Sequence, residues 1–224
     1  LQNALTNEFE KRNIAKPVIS VVTQVRVDKE DPSFKKPSKP IGPFYTKEEA
    51  DAEAAKDGST YVEDAGRGYR KVVPSPMPKE IVEKEAVRAL VEADVLTICS
   101  GGGGIPVVAE DGQYVGVEAV NDKDFSARVL AENVDADRLI ILTGVDNIYI
   151  NYNQPDQKAL EQISVAEAEE YIKEGHFAAG SMLPKIEAAL DFVKGDDKRK
   201  AIITSIENLE NIDKEAGTVI SQKG

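Results

Sequence analysis

Ser100-Gly101-Gly102-Gly103-Gly104-Ile105-Pro106 follows the apolar run Asp94-Val95-Leu96-Thr97-Ile98-Cys99, which reads as a buried strand. Glycine loses more conformational freedom on folding than any other residue, so four in succession call for a reason. One reason is a nest of backbone N–H groups facing an anion at the carboxyl end of an α/β strand. The other is a flexible surface turn. The glycines alone do not separate the two.

Working outward, Pro106 to Val117 reads as a hairpin turning at Asp111-Gly112. Asn121 is placed to cap a helix whose buried side carries Phe125, Val129 and Leu130. Arg138 to Thr143 reads as a buried strand that ends in Gly144-Val145-Asp146. Ser164-Val165-Ala166-Glu167 is a capping box, and Gly175 stops that helix. Gly180-Ser181-Met182-Leu183-Pro184-Lys185 leads into a helix through about Lys194, and Ala201–Ser205 and Thr218–Ser221 are the last strands.

Upstream, Pro78 opens a helix with an apolar face of Ile81, Val82, Ala86, Ala89 and Leu90. Thr46-Lys47-Glu48-Glu49 is a second capping box, for a short helix stopping near Gly58. Two short strands over 60–74 are joined by Ala65-Gly66-Arg67-Gly68. Asp28 to Pro43 holds Pro32, Pro37, Pro40 and Pro43 with Lys35, Lys36 and Lys39, and reads as an irregular, proline-stiffened excursion. Pro17 to Val27 reads as one continuous buried parallel strand, and residues 1–13 as a helix. The alternation predicts an α/β fold: a three-layer αβα open, mainly parallel sheet. Residues 1–27 and 77–224 make the α/β domain, and 28–76 a protruding insert or lid.

The 224 residues are 41% hydrophobic and 30% charged, as suits a globular protein with a sizeable core. Net charge is −12, a field that repels nucleic acid and anionic membrane. An anionic substrate must therefore be met by local lysines and backbone amides. Runs of transmembrane length and the pattern of a signal peptide are both lacking. The single cysteine, Cys99, excludes an internal disulfide and makes a cytoplasmic setting the default.

Lys123 and Asp124 sit at a helix start in Val120-Asn121-Asp122-Lys123-Asp124-Phe125. An acidic residue there complements the helix dipole without further function, whereas a lysine is mildly unfavourable unless a phosphate joins it. Lys185 follows Gly180-Ser181-Met182 at another helix start, a weak phosphate-cradle signal whose spacing is not that of the P-loop. Asp146 and Tyr149 lie just past the strand 138–143, at the end where open α/β sheets bind ligands. Tyr149 and Tyr152 are either base-stacking residues or half-buried aromatics. Lys39, between prolines in a stiff loop, and Arg67, between two glycines, are either held over a site or are linker residues. His176 reads as structural and Cys99 as a small core residue.

Several stretches together resemble the carbamate kinases of the amino acid kinase superfamily. They are Lys39-Pro40-Ile41-Gly42-Pro43-Phe44, Arg70-Lys71-Val72-Val73-Pro74-Ser75-Pro76, Ser100 to Pro106 and Asp122-Lys123-Asp124-Phe125. Leu142-Thr143-Gly144-Val145-Asp146-Asn147-Ile148-Tyr149 and Gly180-Ser181-Met182-Leu183-Pro184-Lys185 complete the set, in order along the chain. The Val-Val-Pro-Ser-Pro stretch and the proline-rich insert are specific to this family within the superfamily.

The resemblance implies a homodimer that transfers a phosphoryl group between carbamoyl phosphate and ADP, giving ATP and carbamate, with Mg²⁺. Fermentative ATP synthesis from arginine breakdown is the setting it suggests. By the same resemblance Lys123 contacts the transferring group, Lys185 lies on the nucleotide-phosphate side and Asp124 holds these lysines. Lys39 reaches over carbamoyl phosphate, and Gly101, Gly102, Gly103 and Gly104 form a substrate-side turn. Thr143, Val145, Asp146, Tyr149, Gly180, Ser181 and Met182 fall in the nucleotide half.

Phosphoryl transfer needs positioning and charge neutralisation rather than a general base, so a chain without a catalytic histidine is consistent with it. Family chains also open with a strand and a Gly-Gly-Asn turn, followed by a His-Gly-Asn-Gly segment; neither occurs here. The expectation is a family chain without roughly its N-terminal third, with a catalytically inactive homologue that binds nucleotide or only dimerises as the alternative. A relative acting on an amino acid carboxylate would not account for the proline-rich insert.

Overall fold

The structure is a computed structural model that describes residues 1–64 and 66–224. It divides into two compact units, Leu1–Ser126 and Ala127–Gly224.

The first unit opens with α1 (Gln2–Lys11), exposed or half-buried throughout. The run expected as one strand from Pro17 to Val27 is two, β1 (Val18–Ser20) and β2 (Gln24–Arg26). Thr23 marks the break. Its hydroxyl donates to the Val21 carbonyl at 2.9 Å and accepts the Ser100 N–H at 3.0 Å. A side chain bonded to nearby backbone competes with the strand ladder. Burial differs between the halves: Val25 of β2 is fully buried, while Ile19 of β1 is 39% exposed.

The proline-rich stretch holds a strand that its composition did not suggest, β3 (Lys39–Tyr45). It is the edge of an antiparallel sheet in the order β3-β5-β4, with β4 (Thr60–Glu63) and β5 (Tyr69–Val73). On an edge, Pro40 and Pro43 remove N–H groups that need no ladder partner. Gly42, at φ 72°, sits where the register shifts between Ile41 and Tyr45. α2 (Lys47–Asp57) starts on the expected capping box, with Thr46 Oγ1 accepting the Glu49 N–H at 3.2 Å and Glu49 accepting the Thr46 N–H at 2.8 Å. It ends at Gly58 with φ 70°. In the turn expected at Ala65-Gly66-Arg67-Gly68, Ala65 lies outside the described residues.

The helix expected from Pro78 begins later. Residues 80–81 are instead a strand, β6 (Glu80–Ile81), and the helix is α3 (Lys84–Glu92). The Lys79 and Val82 N–H groups bond to the Arg26 and Gln24 carbonyls at 2.9 and 3.0 Å, which draws this segment onto β2. Val87 is the buried residue of α3, while Ala86 and Ala89 are exposed. β7 (Leu96–Ile98) pairs in parallel with β1. β8 (Ile105–Glu110) and β9 (Gln113–Gly116) form the predicted hairpin, with Asp111 and Gly112 at φ 48° and 78° as its turn requires. The sheet order is β6-β2-β8-β9. α4 (Lys123–Asn133) begins in this unit. Its first turn is capped by Asp122, whose Oδ1 accepts the Asp124 N–H at 2.9 Å, and not by Asn121.

The second unit is built on the sheet β10-β14-β15-β13. Its strands are β10 (Arg138–Thr143), β11 (Ile148–Ile150), β12 (Lys158–Leu160), β13 (Gln162–Ser164), β14 (Lys200–Ser205) and β15 (Thr218–Ser221). α5 (Val165–Lys173) starts on the predicted Ser164–Glu167 capping box. α6 (Met182–Lys194) buries Ile186, Leu190, Phe192 and Val193 in a cluster with Ala201 and Ile203 of β14. β10 alternates: Leu139 and Ile141 are buried and Ile140 is 40% exposed, so it is half-buried rather than wholly so. The β11–β12 hairpin was not foreseen. Thr218 ties it to the sheet by accepting the Ile148 N–H at 2.8 Å and donating to the Leu160 carbonyl.

The α/β architecture is as expected, but the sheets are mixed rather than mainly parallel, because hairpins and the insert contribute antiparallel ladders. Parallel ladders join β1–β7, β2–β8, β10–β14 and β13–β15; hairpins, the insert sheet, β2–β6 and β14–β15 supply antiparallel ones. Among the described residues no helix is long and apolar enough to cross a membrane.

Candidate active site

The glycine turn is a folded element with two distinct halves. Ser100, Gly102, Gly103 and Gly104 all have positive φ, at 51°, 68°, 106° and 76°. A Cβ on Gly103 would lie 2.3 Å from the Asn121 carbonyl oxygen, and one on Gly104 would lie 2.5 Å from Val25 Cγ2. These two are glycines because the fold packs against them. Gly101 and Gly102 face open space: among the described residues nothing comes within 4 Å of a Cβ placed there. The Gly103 carbonyl accepts from Ser126 Oγ at 2.8 Å and from Asn121 Nδ2 at 3.3 Å, which fixes the turn to the start of α4.

Lys39 comes to the same place. It lies on β3, not in the loop that its flanking prolines suggested, and its Nζ is 2.5 Å from Asp122 Oδ2. Burial pushes the Asp122 carboxyl up, but the Lys39 ammonium and the Asp124 N–H outweigh it and hold the group below its ordinary value. Sequence reasoning gave Asp122 no role beyond the helix dipole. The signal that reveals it is non-local, since its partner lies far upstream. Beside it, Lys123 is 67% exposed and its Nζ lies 3.6 Å from the buried Asp124 carboxylate. Arg67, the other cation singled out in the insert, stacks over the Phe44 ring at 4.7 Å and pairs with Asp64 at 3.6 Å.

The second unit holds a cavity of about 450 Å³ lined by Thr143, Val145, Tyr149, Tyr152, Ser181 and Met182 together with Gly144, His176, Phe177 and Ala178. Of the residues proposed from sequence for the nucleotide half, Asp146 and Gly180 are not in this lining. The Tyr149 and Tyr152 rings are 5.9 Å apart and inclined at 45°, so they form a partly apolar wall. Lys185 sits in the first turn of α6, three residues beyond Met182.

His176 has more to do than its sequence context suggested. Gly175, at φ 79°, and His176 close α5 by donating their N–H groups to the Ile172 and Tyr171 carbonyls. This lays the imidazole edge-on against Tyr171, with centroids 5.8 Å apart. Its Nδ1 accepts the Asn151 N–H at 3.4 Å and its Nε2 lies 2.9 Å from a Glu174 oxygen. Cys99 is half-buried, and that burial pushes its thiol up.

Residues 45–205 match the amino acid kinase family. Carbamate kinase 1 of Enterococcus faecium is 55% identical over 224 residues, covering 99% of this chain and 71% of the relative. Among solved structures, carbamate kinase from Giardia lamblia bound to citric acid superposes with a TM-score of 0.90 at 42% identity, covering 98% of this chain and 70% of that one. The same enzyme bound to AMP-PNP gives a TM-score of 0.87 at 44% identity, with the same coverage.

Proposed function

The chain belongs to the carbamate kinases of the amino acid kinase family, a family of phosphotransferases, and from that premise we propose that it transfers a phosphoryl group reversibly between carbamoyl phosphate and ADP. In the ATP-forming direction, the direction expected in arginine fermentation, a terminal phosphate oxygen of ADP attacks phosphorus. The bond from phosphorus to the carbamate oxygen breaks, and carbamate leaves as an anion. The attacking oxygen is already ionised, so no general base is needed.

The observation that carries this reading is the convergence of Lys39, Asp122, Lys123 and the open half of the glycine turn at the start of α4. In a net −12 molecule it brings two ammonium groups, each beside a carboxylate, next to a turn whose Gly101 and Gly102 have open space around them. Charge spread over a transferring phosphoryl group is stabilised by such donors when they are fixed in advance. Lys123 is the contact to the transferring group, Asp124 its buried counter-charge and Lys39 the cation over carbamoyl phosphate. Gly101 and Gly102 offer backbone to the anion. The cavity of the second unit suits an adenine nucleotide, with the Tyr149 and Tyr152 rings for the base and Lys185 for its phosphates. That a relative is bound to AMP-PNP supports nucleotide binding.

Mg²⁺ enters on the nucleotide. Among the described residues no cluster of three or more carboxylate, histidine or cysteine side chains is gathered for an ion. When bound it would offset charge on the phosphates, as small hard cations do through oxygen ligands. The same reading includes a homodimer.

A coupled assay for ATP from ADP, Mg²⁺ and carbamoyl phosphate tests the proposal. Turnover is expected in the wild type, and Lys123→Ala should lower it by about 10²-fold or more. Full turnover in that variant removes Lys123 from the mechanism. A folded wild-type sample that binds AMP-PNP and makes no ATP overturns the reaction and leaves a nucleotide-binding homologue.

A further inference from the structure

We propose that Asp122 is a positioning residue for the transfer, a single carboxylate that sets both the Lys39 ammonium and the first turn of α4. The proposal rests on the carbamate kinase reading above. One oxygen accepts the Asp124 N–H at 2.9 Å and so caps the helix that begins with Lys123. The other holds Lys39 Nζ at 2.5 Å. The carboxylate is only 12% exposed, so it is a fixed partner and not a solvated one.

The insert is anchored to this segment at its other end as well. Lys39 opposes Val73 in the β3–β5 ladder, and the Val120 N–H donates to the carbonyl of Pro74, the next residue, at 3.0 Å. Entry and exit strands of the insert therefore both attach within three residues of the start of α4. Asp122 is the charged link of the two.

The electrostatics make a distinctive claim. A lysine ammonium has three N–H donors, and Asp122 occupies one. Among the described residues Asp122 is the bonded partner of Lys39 Nζ, which leaves its other donors for a phosphate. The pair is neutral as a unit, so a dianionic substrate meets no net repulsion from the carboxylate. The other charged groups on the same helix start are Lys123 and Asp124, themselves paired at 3.6 Å. With Lys39 absent, Asp122 is a largely buried carboxylate that has lost its bonded cation and keeps only Lys123 as a neighbouring positive charge, which is the costly case next to a second anion. The same carboxylate is thus helpful when Lys39 is present and harmful when it is not.

The test uses four forms of the full natural chain: wild type, Asp122→Asn, Lys39→Ala and the double variant. Asparagine caps helices about as well as aspartate, so Asp122→Asn removes the charge and keeps the cap. It should raise KM for carbamoyl phosphate by about tenfold, because a neutral acceptor bonds an ammonium far less strongly than an ionised one. KM for ADP should not move. Lys39→Ala should raise KM for carbamoyl phosphate further, and adding Asp122→Asn to it should bring KM back down. A structural role alone produces no such reversal of sign. An unchanged KM for carbamoyl phosphate in Asp122→Asn overturns the proposal, and so does a double variant as weak as or weaker than Lys39→Ala. Should Asp122→Asn fold poorly, Asp122→Ser keeps a capping oxygen while shortening the side chain, and carries the same comparison. If the wild type makes no ATP, the carbamate kinase reading fails. Calorimetric binding of carbamoyl phosphate to the four forms then decides the Asp122 proposal by the same reversal.

Discussion

Gly101 and Gly103 are two residues apart and have opposite reasons for being glycine. Gly103 has φ 106° and faces the Asn121 carbonyl, so a side chain is excluded by both conformation and space. Gly101 lacks both constraints. Gly103→Ala is expected to cost more than about 2 kcal/mol, since strain and overpacking add, and a lowered melting temperature would show it. Gly101→Ala should leave stability within about 0.5 kcal/mol. If a phosphate approaches this backbone, the same variant should weaken carbamoyl phosphate turnover. Equal melting temperatures for the two variants would mean that the turn is mobile rather than packed. The sequence located the turn but could not divide it, because Asn121 and Val25 are remote along the chain.

At the scale of elements, what was legible depended on where the stabilising contacts lie. Both capping boxes and the Asp111-Gly112 hairpin turn were readable, since their bonds span three residues or fewer. β3 and β6 were not, because their ladders to β5 and β2 override what prolines and helical spacing suggest locally. The end of α2 gives a pH prediction. The Ser59 N–H and then the Lys71 ammonium, 3.0 Å away, lower the Asp57 carboxyl to about 2. An unfolded aspartate titrates near ~3.9. The folded pKa is the lower one, so the stability Asp57 contributes is fully present above pH ~4 and is lost as pH falls towards 2. The melting temperature of wild type should therefore exceed that of Asp57→Asn at pH 6, and the gap should close by about pH 2. A gap independent of pH would mean that the Asp57 charge contributes nothing.

At the scale of the whole molecule, burial is uneven. Phe192, Ile186, Ile202, Ile203 and Ile220 of the second unit are fully buried, and most buried apolar side chains belong to that unit. The first unit divides its smaller core among β2, β8, α2 and the insert sheet. Amides that exchange only on global unfolding should therefore concentrate in β14 and α6, whereas β1 and β7, with Ile19 exposed, should exchange early. Hydrogen-exchange mass spectrometry checks this. Slowest exchange in β1 would overturn the account of where stability resides.

The sequence by itself determined the α/β class, the helix caps, the place of the glycine turn and, through motifs in order along the chain, the family. Each depends on residue types or on contacts a few positions apart. Only the tertiary structure decided that Pro17–Val27 is two strands, that Lys39 rides on an edge strand, and that Asp122 is its partner. It also decided that His176 lines a cavity and that two of four glycines are there for packing. All of these are settled by hydrogen bonds and van der Waals contacts between residues far apart in the chain. Local pattern carries no record of which distant groups the fold will bring within bonding distance.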